Sequence, residues 1–412
     1  MSRTLLDYEP VVGPDAISQL RQAARDLKGA TVVHVNSTRE GGGVAEILAW
    51  LNPLMVDLGL DARWEVVEGH PEFFGVTKAF HNGLQGGEVM LTDRQVEVYE
   101  QTVKDNAERL RPLLESADFV VIHDPQPAHL LAACPNRKGK WIWRCHIDAS
   151  HPNRKVWNYI RSQVQGYDAS IFSMPQFAQR LHHPQFIIAP SIDPLSEKNV
   201  DLTDDEIKAT LEKYGIDSNR PVLTQISRFD RFKDPIGVIR AFMLLNGTVD
   251  AQLVLAGGGA TDDPEGAVVL EEVKAAANGN PDVNILLLPP DAHRIINAIQ
   301  RASAIIMQKS LQEGFGLTVT EAMWKGKPVI GGNVGGIRLQ VHNHYTGFLV
   351  DTPEGAALRI RELMNRPEKM AFMGRTARKF VTENFLLNRH LREYLTLMLG
   401  LRRGLANHLM AD

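Results

Sequence analysis

Apolar residues along this chain fall in short unbroken runs, each followed by a longer stretch with helical periodicity. In the first half the runs are Thr31–Asn36, Arg63–Glu68, Phe119–Asp124, Trp141–Ile147, Ser170–Met174 and Phe186–Pro190. In the second half they are Val222–Ser227, Gln252–Gly257, Val283–Pro289, Ala304–Gln308, Pro328–Gly332 and Gly347–Val350. Segments such as VVIH, LVLAG and NILLL hold almost no polar residue, as expected of parallel strands covered on both faces. Strand–helix alternation, given in two series, predicts an α/β protein of two doubly wound domains. The segment APSIDPLSEKNVDLTDDEIK, rich in proline and acids, separates the series and marks the junction. The expected boundaries are 1–195, 196–390 and a C-terminal amphipathic helix over 391–412. Ligands of such sheets sit beyond the carboxyl ends of the strands, so the two domains are expected to face a central cleft.

Composition narrows the class. A chain of 412 residues exceeds one ordinary core. With 44% hydrophobic and 23% charged residues it belongs among folded rather than disordered proteins. A net charge of −4 argues against non-specific nucleic-acid binding. The first thirty residues have no signal-peptide apolar core, and no run approaches the eighteen apolar residues of a membrane span. Cys134 and Cys145 are too few for a disulfide framework and lack metal-ligand spacing. A cytoplasmic protein is expected.

Three segments can carry chemistry. In VVHVNSTREGGGVAEIL a strand leads through Gly41, Gly42 and Gly43 into a helix start, where backbone N–H groups can approach phosphate or sugar oxygens. A tight turn with no ligand explains the same glycines. In SRFDRFKDP, after the strand PVLTQI, Arg228 and Lys233 could neutralise a diphosphate and the charge that builds as it departs; a solvated basic pair is the alternative. In QEGFGLTVTEAMWKGKPVI, Glu313 precedes a Gly-Phe-Gly loop that opens a helix, and Glu321 lies about two turns into it. Helix amides there can hold an anion, and the two carboxylates can accept hydrogen bonds from hydroxyl groups.

Arg-x4-Lys followed by Glu-x7-Glu, in this order and setting, resembles the retaining group-1 glycosyltransferases of the GT-B fold. The phrases HVNSTREGGGVAEIL, EFFGVTKAFHNGLQG, IHDPQP, WIWRCHID, PSIDPLSEKN and GFGLTVTEAMWKGKP are similar to the trehalose synthase subgroup, which transfers glucose from a nucleoside diphosphate to free glucose. Three places depart from that subgroup: Phe232 stands where tryptophan is usual, Gln312 replaces an arginine, and VHNHYTG replaces an acidic-glycine turn. The resemblance implies that Arg228 and Lys233 hold the donor diphosphate and that Glu321 binds the ribose. Glu313 would lie against the hexose, with the amides of Gly314, Phe315, Gly316, Leu317 and Thr318 over phosphate and sugar. The first domain would take the acceptor and the second the nucleotide-sugar, with the last helix crossing back to the first; an ordinary terminal or dimer-interface helix is the alternative.

Two strand-end residues of the first half, Asp124 and His146, are implied to orient the acceptor and to approach the donor's C6 hydroxyl and developing charge. A turn-initiating Asp-Pro and a satisfied buried histidine are their structural alternatives. The aromatic segment HPEFFGVTKAFHNGLQG is expected to loop over the acceptor pocket, with His81, Asn82 or Gln85 near sugar hydroxyls; a packed surface insertion is the alternative, and Glu40 is a further acceptor-side candidate. No cofactor is expected: an Asp-x-Asp motif is absent, and magnesium would arrive only through the donor's phosphates. Partners are expected to be nucleoside-diphosphate glucose and glucose, without nucleic acid or membrane, and the resemblance implies a homodimer. A transferase with another acceptor, a nucleotide-sugar epimerase and a non-catalytic sugar binder are the rivals.

Overall fold

The computed structural model describes residues 3–40, 42–258 and 264–404. Among them the apolar runs form two six-stranded, all-parallel sheets. The first holds β1 (Thr31–Asn36), β2 (Asp61–Val66), β3 (Phe119–His123), β4 (Lys140–Cys145), β5 (Ala169–Phe172) and β6 (Gln185–Ile187) in the order β2-β1-β3-β4-β5-β6. The second holds β7 (Val222–Ile226), β8 (Gln252–Gly257), β9 (Val283–Leu287), β10 (Ile305–Gln308), β11 (Val329–Gly332) and β12 (Gly347–Val350) in the order β12-β11-β10-β7-β8-β9.

The expected α/β architecture is present in both halves. Its cause is visible in burial: every residue of β3, β5, β7, β8 and β10 is buried, so a parallel ladder with helices on both faces is the arrangement that covers them. In the second sheet Leu223, Leu253, Leu255, Ile305, Met307, Ile330 and Phe348 meet Val238, Ile239, Ala357, Ile360 and Leu363 of the helices outside them. Capping boxes at Thr92 and Thr203 start the helices Asp93–Ser116 and Asp204–Lys213 where the polar signal lies.

The chain divides into two compact units, one of residues up to Ser191 together with those from Leu387, the other Ile192–Leu386. The helix Leu387–Arg402 thus belongs to the first unit, where Ser191 Oγ and His390 Nδ1 share a 2.8 Å hydrogen bond. The last part of the C-terminal segment read as helical lies outside the described residues. Among the described residues no helix is long and apolar enough to cross a membrane.

The segment read as a loop over a pocket is instead a helix, Pro71–Leu84. Phe73, Val76, Phe80 and Leu84 repeat at helical spacing and are buried, and Pro71 sits in the first turn, where a missing N–H costs nothing. Phe73 stacks on Tyr99 at 6.0 Å and Phe80 meets the same ring edge-on at 5.0 Å, fastening the helix to Asp93–Ser116.

Each sheet has a switch point where successive strands run outward in opposite directions: between β1 and β3 in the first, between β7 and β10 in the second. The loops that leave these strands flank a crevice at their carboxyl ends, the position at which doubly wound sheets bind ligands.

Candidate active-site elements

In the second unit the switch point is occupied by the two expected motifs. The loop after β7 closes with a 3-10 turn, Arg231–Lys233, capped by Asp230, whose Oδ1 accepts from Phe232 N at 2.7 Å. Asp234 follows with φ 48 and caps the next helix through Gly237 N at 3.0 Å. Its other oxygen takes an ion pair from buried Lys309, at the end of β10. Phe232 O accepts Leu311 N at 2.8 Å. The two loops are therefore one connected structure, and Lys233 Nζ lies 2.8 Å from Glu313 Oε2. Both side chains are largely enclosed, at 18% and 11% exposure, so this pair is less screened than a surface bridge. Ser310 Oγ adds a 3.3 Å bond to the same carboxylate oxygen.

The helix that begins beyond Glu313 runs from Leu317 to Trp324, preceded by Gly316 at φ 82. Among the described residues, the amides of Gly314, Phe315, Gly316, Leu317 and Thr318 donate to no other backbone group. Unspent N–H groups at a helix start form an anion site. Glu321 lies little more than one turn into this helix, not two, because the helix starts at Leu317; it is buried at 5% exposure. Burial pushes the Lys325 ammonium down, and the Glu321 carboxylate opposes that shift. Lys325 Nζ also donates to Asn199 Oδ1 at 3.1 Å, while Trp324 Nε1 donates to Asn199 O at 3.1 Å. Arg228 stands apart: 65% exposed, it pairs with Asp230 of its own loop at 3.5 Å.

In the first unit, Gly42 precedes the Gly43–Asp57 helix with φ 87, which only glycine adopts cheaply. Gly41 lies outside the described residues. Glu40 is exposed, its N–H donating to Thr38 Oγ1 at 3.1 Å. Asp124 follows β3 with φ 63 and is held from three sides. Its N–H donates to Arg144 O at 2.8 Å, its carbonyl accepts Trp143 Nε1 at 3.0 Å, and its Oδ1 accepts His146 N at 2.7 Å. Asp124 and His146 are thereby brought together at the switch point. Burial pushes the Asp124 carboxyl up to about 7, against the His146 N–H and the Arg144 cation, which lower it. His81 and Asn82 sit on the last turn of the Pro71–Leu84 helix and Gln85 caps it, beside the loop that follows β4, where Asn153 N donates to Gly83 O at 2.7 Å.

Several residues of these elements escaped the sequence reading. His34 on β1 and His123 on β3 line up with His146 through ring-nitrogen contacts of 3.0 Å each. Arg144 is fully buried, one nitrogen bonded to Ser173 Oγ at 3.3 Å. Gly335, at φ 43, lets the chain after β11 press on the Glu313 loop: a Cβ there would stand 1.7 Å from Glu313 O. Only the double glycine of VGG hinted at it. Gly335→Ala should displace that carbonyl, lower the melting temperature through roughly 1–3 kcal/mol of strain, and weaken donor binding. A thermal melt and a donor titration check this; parental values in both would show that the loop does not depend on the close approach.

Comparisons with known proteins identify the family and the fold. Residues 34–179 match a family described as "Trehalose synthase, N-terminal domain", and residues 206–380 match "Glycosyl transferases group 1". A trehalose synthase of Pyrococcus horikoshii is 45% identical over 401 residues, 96% of each chain. This chain belongs to the trehalose synthase family of group-1 glycosyltransferases. The fold is GT-B: a Burkholderia xenovorans trehalose-phosphate synthase, solved with glucose-6-phosphate, matches at TM-score 0.71 with 13% identity, over 90% of this chain and 100% of that one. Anabaena HepE in complex with UDP-glucose matches at TM-score 0.67 with 15% identity, over 90% and 99%. The protein is thus a trehalose-related glycosyltransferase, and the motifs at its second switch point lie inside the matched group-1 region.

Proposed function

We propose that this enzyme forms trehalose by transferring glucose from a nucleoside-diphosphate glucose to free glucose, with retention of the α configuration. The observation that carries the reading is the Lys233–Glu313 pair at 2.8 Å, set at the mouth of an amide-lined helix start on the β7/β10 switch point. Lys233 holds three N–H donors and spends one on Glu313, leaving two for phosphate oxygens. Arg228, on the same loop and exposed, adds a second cation for the diphosphate. Glu321 is the ribose ligand in this reading, and Glu313 faces the hexose.

As the glucosyl–phosphate bond loosens toward an oxocarbenium ion, negative charge gathers on the departing diphosphate, where Lys233, Arg228 and the amides of Gly314–Thr318 stabilise it. Retention through a covalent intermediate needs a carboxylate free to attack. Glu313 is a poor one, since Lys233 and Ser310 both bond its Oε2. The proposal is therefore same-face attack, in which the acceptor hydroxyl passes its proton to the leaving phosphate oxygen. Asp124 and His146 serve the sugars in the first unit. No resident cofactor enters this scheme; magnesium comes only with the donor's phosphates. Free cysteines at 134 and 145 suit the reducing cytoplasm in which this reading places the enzyme.

The test is incubation with ADP-, UDP- or GDP-glucose plus glucose, and separately with maltose alone, with products followed by anomeric NMR. A non-reducing α,α-linked disaccharide from at least one nucleotide-sugar, and none from maltose, is expected. Trehalose from maltose alone, an epimerised nucleotide-sugar, or a different disaccharide would overturn the proposal.

A further inference from the structure

Three imidazoles cross the first sheet at its switch point. His34 on β1, His123 on β3 and His146 after β4 come from strands that are neighbours in the order β1-β3-β4. His34 Nδ1 lies 3.0 Å from His123 Nε2, and His123 Nδ1 lies 3.0 Å from His146 Nε2. Each contact needs one proton between its two nitrogens. The inner end is blind: His34 is fully buried and its Nε2 has no hydrogen-bond partner among the described residues. At the outer end His146 is only partly covered, and its Nδ1 bonds no other described residue.

A neutral chain of this kind has two arrangements, with every proton pointing inward or every proton pointing outward. Inward polarity would leave an N–H on His34 Nε2 buried without an acceptor. Outward polarity leaves only an unused lone pair there, and orphaned buried donors are the rarer of the two in folded proteins. Outward polarity has His34 Nδ1–H donate to His123, His123 Nδ1–H donate to His146 Nε2, and the proton of His146 sit on Nδ1. We propose that His34 and His123 are positioning residues that fix His146 as the neutral Nδ1–H tautomer, so that it presents a hydrogen-bond donor to a sugar oxygen.

The surroundings keep the chain uncharged. Burial lowers all three histidines, and the buried Arg144 guanidinium lowers His123 and His146 further. From the C-terminal helix, Tyr394 covers the His34 ring at 5.9 Å, and His390, itself lowered by burial, is bonded to Ser191. The Asp124 carboxylate faces the backbone N–H of His146. His146 would then act on the sugar through a neutral N–H.

This inference rests on the reading of His146 as a sugar-facing residue, and its test separates the two. Long-range 15N–1H correlation spectra of the full chain with 15N-labelled histidine report which ring nitrogen carries each proton, without any substrate. The expected result is a neutral His146, assigned by its loss in His146→Gln, protonated on Nδ1. Two nearly isosteric changes then ask for opposite polarity at the same point. His123→Asn keeps an N–H donor where Nδ1 stood, so His146 keeps its tautomer and kcat stays within about threefold. His123→Asp offers an acceptor, moves the His146 proton to Nε2, and lowers kcat roughly tenfold or more with little change in donor KM. Equal His146 tautomers and equal kcat in the two variants would overturn the proposal. So would a parent His146 protonated on Nε2, whether or not either variant folds. A parent with the expected tautomer that makes no trehalose refutes the function and leaves the hydrogen-bond polarity standing.

Discussion

Replacing Lys233 by alanine should lower kcat about 10²- to 10³-fold, the loss typical of removing one preorganised donor from a charge-developing centre. The ammonium is enclosed, within 2.8 Å of Glu313 and on the same switch point as the unspent amides, so solvent does little to weaken its attraction for phosphate. Its removal also leaves Glu313 with Ser310 as its remaining side-chain donor. Stability should therefore fall by roughly 1–2 kcal/mol, too little to unfold the chain. Lys233→Arg keeps the charge but not the compact geometry, and should recover part of the lost rate. Steady-state kinetics at saturating donor, beside a thermal melt of each variant, make the measurement. Turnover of Lys233→Ala within about threefold of the parent would remove the lysine from the chemistry.

The prominence of that lysine was visible in the sequence because its motif is local. Arg-x4-Lys and Glu-x7-Glu each lie on one loop or one loop and its helix, so a short stretch of sequence suffices for the resemblance that singles them out. The strands were legible for a related reason. A strand buried on both faces is a continuous apolar run, and β1, β8 and β12 begin and end where the pattern places them. β4 ends at Cys145, before the expected Ile147, and His146 N donates to the Asp124 side chain. The Pro71–Leu84 helix was misread since its glycines, histidine and aromatic residues suggest a loop, while its buried spacing is helical.

What stayed hidden depends on strand order. His34 and His123 are 89 positions apart and meet only because β1 and β3 are neighbours. Gly335 and the Glu313 carbonyl meet because β11 lies beside β10. Asn199 is fastened by Trp324 and Lys325 from a helix more than a hundred residues later. A one-dimensional pattern records none of these approaches, because each residue is individually ordinary.

Asp124 shows how such a tertiary setting should appear in solution. Burial raises its carboxyl from the ordinary range near 4 to about 7 in the folded protein. Between those values the native state holds a proton that the unfolded chain has released. Folding then takes up a proton, and stability contributed at this site falls as pH rises through that window. Above about 7 both states are ionised and the loss is complete. Asp124→Asn removes the titration while keeping an oxygen for the His146 N–H, and asparagine tolerates the left-handed φ of 63. The stability of the variant relative to the parent should therefore climb by on the order of 2–4 kcal/mol between pH 4 and pH 8, with the change concentrated between pH 4 and 7. Because the other titrating groups are common to both proteins, their contributions cancel in the difference. Urea unfolding of both at pH 4.5, 6 and 8 measures it. Two curves that stay parallel across that range would mean that Asp124 is ionised throughout and that burial does not raise its carboxyl.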